Sequence, residues 1–167
     1  FRQELILRSG RIDIITCDLR LRIFVDSEAP VVYIEGVSRT PRTVTAVIET
    51  WRTERKRLTG DELQSSWTMN KSPDEIEVWE SADTVEDSLW YHRNESSIVP
   101  LTVEHQGIQS LAHFVNDPLK NRTFGGRLTG SNLGQPARRF LVTVSTHCAQ
   151  TQAVAEWKRG LPKPVAV

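Results

Sequence analysis

The chain has 167 residues, which is enough for one domain with a hydrophobic core. It carries 21 Lys and Arg residues against 21 Asp and Glu residues, so its formal net charge is zero. A balanced charge gives no support to nucleic-acid or membrane-surface binding, both of which need a basic excess or a basic face. No apolar run approaches the roughly 18 residues that a membrane-spanning helix needs.

Two cysteines, Cys17 and Cys148, lie far apart in the sequence, and their spacing does not fit a zinc site. Each follows a run of apolar side chains, so our first expectation is that both are thiols within the core. A disulfide between them is the alternative, which requires the two Cα atoms to lie within about 7 Å of each other.

The N-terminal third alternates apolar and polar side chains with the period of β-strands. Ser9 and Gly10 interrupt the first alternating run and predict a hairpin turn, because glycine supplies the positive φ that a tight turn needs. Leu19–Val25 alternates again, and residues 31–35 and 43–51 are rich in β-branched side chains. Consecutive strands joined by short turns predict an antiparallel sheet.

A long polar insertion separates the first strands from the rest. Residues 52–72 are charged and carry few periodic apolar side chains, so they are predicted to lie on the surface with one short helix. Residues 75–80 return to the strand pattern, in which Glu77 and Trp79 share one face. Residues 83–87 are acidic and are predicted to form a turn.

The C-terminal half mixes helix and strand patterns. Residues 103–115 fit a helix only loosely, whereas residues 127–130 and 139–145 alternate as strands do. Residues 146–159 predict a helix that ends at Gly160. Together the patterns predict a mainly β fold, an antiparallel two-sheet sandwich with a long polar insertion and one or two short helices.

The densest group of functional side chains lies at residues 90–95. An aromatic ring covers the apolar C–H face of a sugar, and planar polar side chains make paired hydrogen bonds to its hydroxyl groups. In an extended strand alternate residues face opposite sides, so only half of the group would face one ligand. The alternative is that Trp90 lies in the core and the rest forms a structural hydrogen-bond network. The candidate ligand-binding residues here are Trp90, His92, Arg93, Asn94 and Glu95.

A second polar cluster supplies two further candidate ligand-binding side chains, Asp117 and Arg122. We predict a loop at residues 121–126, whose two glycines let the backbone approach a ligand or another chain segment closely. These glycines do not fit the phosphate-binding patterns, which need a following lysine or three spaced glycines. The alternative is that Arg122 pairs with Asp117 and only stabilises a turn.

No catalytic residue is assigned by the sequence. Glycoside hydrolysis needs two carboxyl groups about 5–10 Å apart, and no spacing in the chain selects such a pair. The sequence has no Gly-x-Ser-x-Gly elbow and no His-Glu-x-x-His spacing, so we expect no metal and no cofactor. A small hydrolase that uses two of Glu86, Glu95 and Asp117 is the least favoured hypothesis.

Three stretches of the sequence resemble an uncharacterised bacterial domain family. They are Phe1-x-Gln3-x-Leu5-x-Leu7-x-x-Gly10-x-Ile12, residues 89–96 and residues 117–126. Members of this family stand at the N-terminus of large proteins similar to glycoside hydrolases of the α-L-fucosidase kind, which have an (α/α)6 barrel. The resemblance spans nearly the whole chain. It implies a two-sheet β-supersandwich that packs against a downstream helical barrel, where the catalytic acid and base of such enzymes lie.

The resemblance also implies a domain organisation and a function. Residues 1–145 would form the β-sandwich without the family's first strands, and residues 146–167 would form a helical linker and a Pro-rich tail. The expected function is a non-catalytic module that supports the barrel and lends a loop to a carbohydrate cleft; a free-standing carbohydrate-binding module is the alternative. The expected partners are carbohydrate and the barrel, in a secreted or periplasmic protein. We expect no activity from the chain alone.

Overall fold

Most strands of the protein join one large sheet. The computed structural model describes residues 1–66, 77–97 and 99–164. In chain order, the strands are β1 (Arg2–Ile6), β2 (Arg11–Ile15), β3 (Leu19–Val25), β4 (Val31–Thr43), β5 (Lys56–Arg57), β6 (Trp79–Glu80), β7 (Thr84–Glu86), β8 (Leu89–Arg93), β9 (Arg122–Ser131) and β10 (Pro136–Gln150). Among the described residues, eight strands form an antiparallel sheet in the order β1-β2-β3-β4-β10-β9-β8-β7, and β5 pairs with β6 in a second sheet.

The helices in the described part of the chain are short. They are α1 (Gly60–Ser66), α2 (Val99–His105) and α3 (Val154–Arg159), together with 3-10 turns at Leu7–Ser9 and Gln109–Phe114. The prediction of a mainly β, antiparallel fold with two sheets and short helices is confirmed, with the strands divided unequally between the sheets. The polar insertion contains β5 and α1, while residues 67–72 of it and residues 75–76 of the next predicted strand lie outside the described residues.

The first hairpin forms where the glycine pattern predicts it. β1 pairs with β2 in register, so that Leu5 lies opposite Ile12. The turn between them is the 3-10 segment, and Gly10 closes it with a φ of 58° and an N–H that donates to the Leu7 carbonyl oxygen at 3.2 Å. Only a residue without a Cβ adopts this left-handed conformation at no steric cost.

The loop predicted at residues 121–126 is wrong, because the chain from Arg122 onward forms the first half of β9. β9 pairs with β8 on one side and with β10 on the other, starting where Arg122 lies opposite Gln150. Polar side chains and two adjacent glycines are typical of loops, but pairing on both sides satisfies every backbone group of a strand. Tertiary pairing therefore overrides the local turn signals, and the strands predicted at 127–130 and 139–145 are confirmed as parts of longer ones.

The strand predicted at residues 43–51 is wrong beyond its first residue, where β4 ends. The following segment has no regular secondary structure and lies outside the ladder. Backbone N–H groups of Gly134 and Asp83 donate to the carbonyl oxygens of Val44 and Arg52, at 2.9 Å and 2.8 Å. The segment is therefore fixed at its two ends, near the β9–β10 turn and near the start of β7.

The acidic turn predicted at residues 83–87 is wrong for most of its length. The segment is β7, an edge strand in which Thr84 lies opposite Tyr91. Acidic side chains are tolerated in an edge strand because its outer side stays in water, and their charge blocks pairing with other chains. The turn is limited to the β7–β8 connection, where Asp87 has a φ of 51°.

The helix predicted at residues 146–159 is wrong in its first half. β10 continues to Gln150 and α3 begins only at Val154. The backbone from residue 146 onward already pairs with β9, with Thr146 opposite Gly126, so it has no groups left for helical hydrogen bonds. The predicted boundary after residue 145 thus falls inside a strand. That residues 146–167 lead to a further domain stays a prediction.

α3 packs against one end of the large sheet. Its Trp157 is fully buried and clusters with Leu89 of β8 and with Leu161, which follows the helix. The Trp157 indole N–H donates to the His147 carbonyl oxygen at 3.1 Å, and its ring lies 5.5 Å from that of Tyr91. The helix is therefore anchored to β8 and β10 by both apolar packing and a hydrogen bond.

Both cysteines are free and exposed, so the expectation of core thiols is wrong and the alternative disulfide is absent. Cys17 lies in the β2–β3 turn, outside the ladder. Cys148 lies on β10 at the open end of the sheet, where a guanidinium N–H of Arg122 approaches its sulfur at 3.8 Å. Within the described residues, none of the helices has the length and apolar character needed to cross a bilayer.

Candidate functional site

β8 presents the predicted residues on the two faces of the sheet, as the alternation of a strand requires. Trp90 and His92 lie on one face, opposite Gly126 and Phe124 of β9. Arg93 lies on the other face. The candidate residues on β8 are therefore divided between two surfaces that no single small ligand can touch.

His92 forms a buried pair with Asp83. The Nδ1 atom of His92 lies 3.0 Å from a carboxylate oxygen of Asp83, and both side chains are less than a tenth exposed. The ring of Phe124 lies 5.3 Å from the imidazole ring and helps to cover it. Because Asp83 directly precedes β7, this hydrogen bond holds the short edge strand against β8.

The indole of Trp90 packs over β9. A Cβ on Gly126 would collide with the indole ring, and a Cβ on Gly125 would lie 2.6 Å from the Tyr91 Cα. The prediction that the glycine pair permits a close backbone approach is confirmed, with β8 as the approaching segment. Trp90 and Phe124 also line an open depression of about 500 Å³ on this face.

The guanidinium of Arg93 is occupied by acceptors of the protein itself. One nitrogen donates to the Asn121 carbonyl oxygen at 3.0 Å and to the Thr123 hydroxyl at 2.8 Å. The other donates to the carbonyl oxygens of Thr151 and Gln152, at 3.0 Å and 3.2 Å. Arg93 thus joins β8 to the start of β9 and to the segment after β10, which is a structural role.

Asp117 and Arg122 stabilise the turn that precedes β9. Burial of Asp117 raises the pKa of its carboxyl, but hydrogen bonds from the Ser97 hydroxyl and from backbone N–H groups of the turn outweigh burial and hold that pKa below its usual value. The Nε of Arg122 donates to the Pro118 carbonyl oxygen at 2.6 Å. Arg122 therefore fixes the turn through a backbone carbonyl, and no ion pair joins it to Asp117 within the described residues.

Asn94 continues the β8–β9 pairing one residue past the strand. Its N–H donates to the Arg122 carbonyl oxygen at 3.0 Å, and its own carbonyl oxygen accepts from the Asn121 N–H at 2.7 Å. These two backbone bonds fix the residue, which lines a cavity of about 320 Å³. We call it the Trp79 cavity; its walls are Arg55, Glu77, Val78, Trp79, Asn94, Ser96, Ser97, Leu101 and Leu119. Glu95 is exposed beside it.

Trp79 gives this cavity its aromatic surface. The side chain is 42% exposed, and the guanidinium carbon of Arg55 lies 4.5 Å from the centre of its ring. Glu77 lies two residues before Trp79, and its carboxylate oxygen is 3.2 Å from a guanidinium nitrogen of Arg57. Aromatic, amide, hydroxyl and charged groups thus converge on one concave surface, as is typical of small-ligand sites.

A comparison with protein-family models gives the affiliation of the chain. The model described as domain of unknown function (DUF5703), N-terminal part, matches residues 1–139. The chain belongs to the DUF5703 N-terminal domain family. This confirms the resemblance to an uncharacterised domain family. No curated protein and no solved structure matches the chain.

In this DUF5703 domain the predicted residues lie at separate places. Asn94 lines the Trp79 cavity, Trp90 lines the depression beside Phe124, and Asp117 lines a third cavity of about 390 Å³ next to α2. His92 is buried, and Arg93 and Arg122 are bound to backbone carbonyls. The sequence alone did not identify Trp79 as a site residue, although its alternation with Glu77 already placed an aromatic and a charged side chain on one face.

Two of the three carboxylates considered for catalysis in the DUF5703 domain have structural partners, while the third, Glu95, is exposed. Glu86 accepts a hydrogen bond from the Lys158 ammonium group at 2.5 Å, and this bond lowers the pKa of its carboxyl. Asp117 accepts from two backbone N–H groups of its turn, both at 3.0 Å. Among the described residues, no three His, Cys, Asp or Glu side chains lie together in a way that could hold a metal ion.

Proposed function

We propose that the chain is a non-catalytic β module of a glycoside-hydrolase-like protein, which supports a helical catalytic barrel and lends a surface to a carbohydrate cleft. The observation that carries the proposal is the Trp79 cavity, which a half-exposed tryptophan lines together with an asparagine and two serines. Carbohydrate sites need this combination, because a sugar ring has apolar C–H faces and a rim of hydroxyl groups.

The arrangement inside the Trp79 cavity favours stacking on one side of the indole. Arg55 covers one face of the ring, so a sugar would use the other. The amide of Asn94 offers both a donor and an acceptor, and it has no hydrogen-bond partner among the described residues. The exposed hydroxyl of Ser96 adds a third polar group at the rim.

The engagement of the acidic groups supports a non-catalytic role. A glycosidase needs one carboxyl free to donate a proton and a second free to attack or to activate water. In this chain Glu86 is tied to Lys158, Asp117 to the backbone of its turn, and Asp83 to buried His92. Glu95 is exposed, but a glycosidase needs two carboxyl groups, so we assign catalysis to the partner barrel.

An exposed apolar surface supports the proposed contact with a barrel. Such surfaces are uncommon on isolated domains and are typical of interfaces. Large apolar side chains are exposed on α2, the 3-10 turn after it and the next loop, and they are Leu101, Leu111, Phe114, Val115 and Leu119. This surface adjoins the Trp79 cavity through Leu101 and Leu119, so a docked barrel would complete the walls of the cleft.

Calorimetric titration with a panel of neutral oligosaccharides tests the carbohydrate site. We expect Trp79→Ala to weaken binding by about 1–3 kcal/mol through the lost ring contact. The matched control is Trp51→Ala, because Trp51 is 82% exposed, also has an arginine at 5.0 Å from its ring, and does not line the cavity. Equal effects of the two changes, or an unchanged affinity in Trp79→Ala, would contradict the proposal.

A free-standing carbohydrate-binding module would use the same cavity. The two alternatives differ in what the gene encodes after Val167. A reading frame that continues into a helical barrel favours the supporting module, and an unrelated continuation favours the free-standing one.

A further inference from the structure

A larger cavity, of about 600 Å³, lies over β3, β4 and β10 and shares no wall with the Trp79 cavity. We call it the arginine cavity, because guanidinium groups from β3 and β10 stand at its rim. Its volume lies within the range of about 300–1,000 Å³ that is typical of small-ligand sites. The strands supply these side chains from three different stretches of the sequence, so no local sequence motif predicts the site.

The register of the strands places two arginines on either side of an apolar platform. Val37 of β4 lies opposite Arg20 of β3 and also opposite Arg139 of β10. Directly opposite residues share a face of the sheet, and neighbouring strands lie about 4.8 Å apart. The backbones of the two arginines are therefore about 10 Å apart, with Val37, 48% exposed, between them.

The next row of the same face is also charged. Glu35 lies opposite Arg22, and Arg22 in turn lies opposite Asp13 of β2. Asp13 is only 2% exposed and binds Arg20 at 2.7 Å, with Arg11 at 3.2 Å on its other oxygen. Four guanidinium groups, counting Arg139, face two carboxylates, which leaves a local excess of two positive charges in a chain whose formal net charge is zero.

Two of these arginines have guanidinium groups available for a ligand. Within the described residues, no hydrogen bond or ion pair reaches the guanidinium of Arg139. Arg22 has a single long contact, of 3.9 Å, with Glu35. Arg20, by contrast, is held in place by the buried carboxylate of Asp13. The cavity thus combines one preoriented arginine with two that can close on an anion.

We propose that the arginine cavity binds an acidic saccharide, whose carboxylate or sulfate group pairs with Arg139 and Arg22 while its ring lies over Val37. The planar guanidinium donates two parallel hydrogen bonds to such a group, and the opposite charges strengthen both bonds, whereas a neutral sugar offers acceptors without a negative charge. The choice of a saccharide rests on the carbohydrate-binding function proposed above, whereas the choice of an acidic group rests on the arginines. A second cavity of about 260 Å³ shares Arg20 and Val37 and gives room for a further ring.

Titration of the full chain tests the proposal with three matched ligands: an oligosaccharide of uronic acid, a sulfated oligosaccharide and a neutral one. We expect an acidic ligand to bind, and Arg139→Gln to weaken it about tenfold or more. Arg138→Gln is the matched control, because it removes the same charge at the neighbouring bulge position outside the cavity, and we expect less than a twofold change. Glu35→Gln should tighten binding, since it removes the negative charge beside Arg22.

The ligand that responds to Arg139→Gln identifies the acidic group as carboxylate or sulfate. Equal weakening by Arg138→Gln and Arg139→Gln would overturn the proposal, because it would reveal only non-specific attraction. So would binding of a short oligonucleotide as tightly as of the acidic saccharide. If neutral saccharides bind in a Trp79-dependent way and an acidic group does not increase the affinity, only the proposal for the arginine cavity is wrong. If Arg139-dependent binding persists in Trp79→Ala and neutral saccharides do not bind, the proposal for the Trp79 cavity is wrong instead.

Discussion

At the scale of single residues, Gly126 and Gly10 are glycines for different reasons. Gly126 has an ordinary strand conformation, but a Cβ there would strike the Trp90 ring and the Ser145 carbonyl oxygen. Gly10 has open space around it and a φ of 58°, which other residues adopt only with strain. One position is limited by packing across the sheet, the other by its own backbone.

We therefore expect substitutions at the two positions to change the free energy of unfolding for different reasons. Gly126→Ala should lower the free energy of unfolding by about 1–3 kcal/mol, because β8 and β10 cannot move apart without breaking their pairing with β9. Gly10→Ala should cost about 1 kcal/mol, and Gly10→Asn should restore most of it, since asparagine tolerates the left-handed region. Urea unfolding measures all three. Full stability of Gly126→Ala would mean that β8 does not lie this close.

Arg93 illustrates how a residue type with binding potential becomes structural. Its four hydrogen bonds reach Asn121, Thr123, Thr151 and Gln152. The partners on the segment after β10 are 58 and 59 residues away in sequence. The residue types at 90–95 fit a ligand-binding surface as well as a structural network, because no local pattern reveals which acceptors a guanidinium will bind.

At the scale of elements, α3 and the large sheet depend on each other. A helix of six residues is too short to be stable alone, so its stability comes from packing. Trp157 provides most of that packing, through Leu89, Leu161 and Tyr91. The end of the sheet formed by β8, β9 and β10 would in turn expose its apolar side chains to water without the helix.

Truncation of this anchor should release the helix. We expect Trp157→Ala to lower the free energy of unfolding by about 3–5 kcal/mol, as for other large buried aromatic residues. Trp51→Ala makes the same chemical change at an exposed position and should stay within about 0.5 kcal/mol. Thermal unfolding followed by circular dichroism compares the two, and limited proteolysis should show faster cleavage after Gln150 in Trp157→Ala. Similar stabilities of the two variants would show that α3 is not an anchor.

The strand alternation of the first third was sufficient to predict β1, β2 and β3 and the hairpin at Gly10. It was not sufficient for the boundaries farther along. β9 begins among polar residues and glycines, and β10 continues through residues whose pattern also fits a helix. These strands exist because each has a partner on both sides, and the identity of a partner is not encoded in a window of ten residues.

Across the whole molecule, the positive and negative charges are equal in number but unevenly distributed. Positive charge is concentrated at the arginine cavity. Asp13 beside it, and Asp18 and Glu86 elsewhere, each form an ion pair with a basic side chain. A hydrogen bond from Arg20 lowers the pKa of Asp13, and one from Arg42 lowers the pKa of Asp18. Lys158 does the same for the pKa of Glu86. The ordinary values for these groups are 3.8 for Asp and 4.5 for Glu.

These directions predict that the fold loses stability in acid. A carboxyl with a lower pKa in the folded than in the unfolded chain stabilises the fold above its unfolded pKa, and this contribution disappears as the pH falls through the folded pKa. We expect the free energy of unfolding to be level near neutral pH and to fall from about pH 5 downward. Urea unfolding between pH 7 and about pH 3 measures this dependence.

Asp13→Asn provides the matched comparison. It should lower stability at neutral pH and make the acid limb shallower, because one of the carboxyls responsible is gone. Glu28→Gln, at an exposed position in the β3–β4 turn, should leave both unchanged. An acid limb of the same slope in Asp13→Asn would assign the pH dependence to other groups.

Alternation and turn residues act over a few neighbouring positions, so the mainly β class, the first hairpin and the presence of short helices were predictable from the sequence. It also indicated the family through short runs of residues. Which side chains come together depends on the tertiary structure: Trp79 lines one cavity with Asn94 and Ser96, Arg139 lines another with Arg22 and Val37, and Arg93 binds the chain after β10. Those contacts arise from strand order and register, which depend on packing between segments far apart in the chain and leave no local trace.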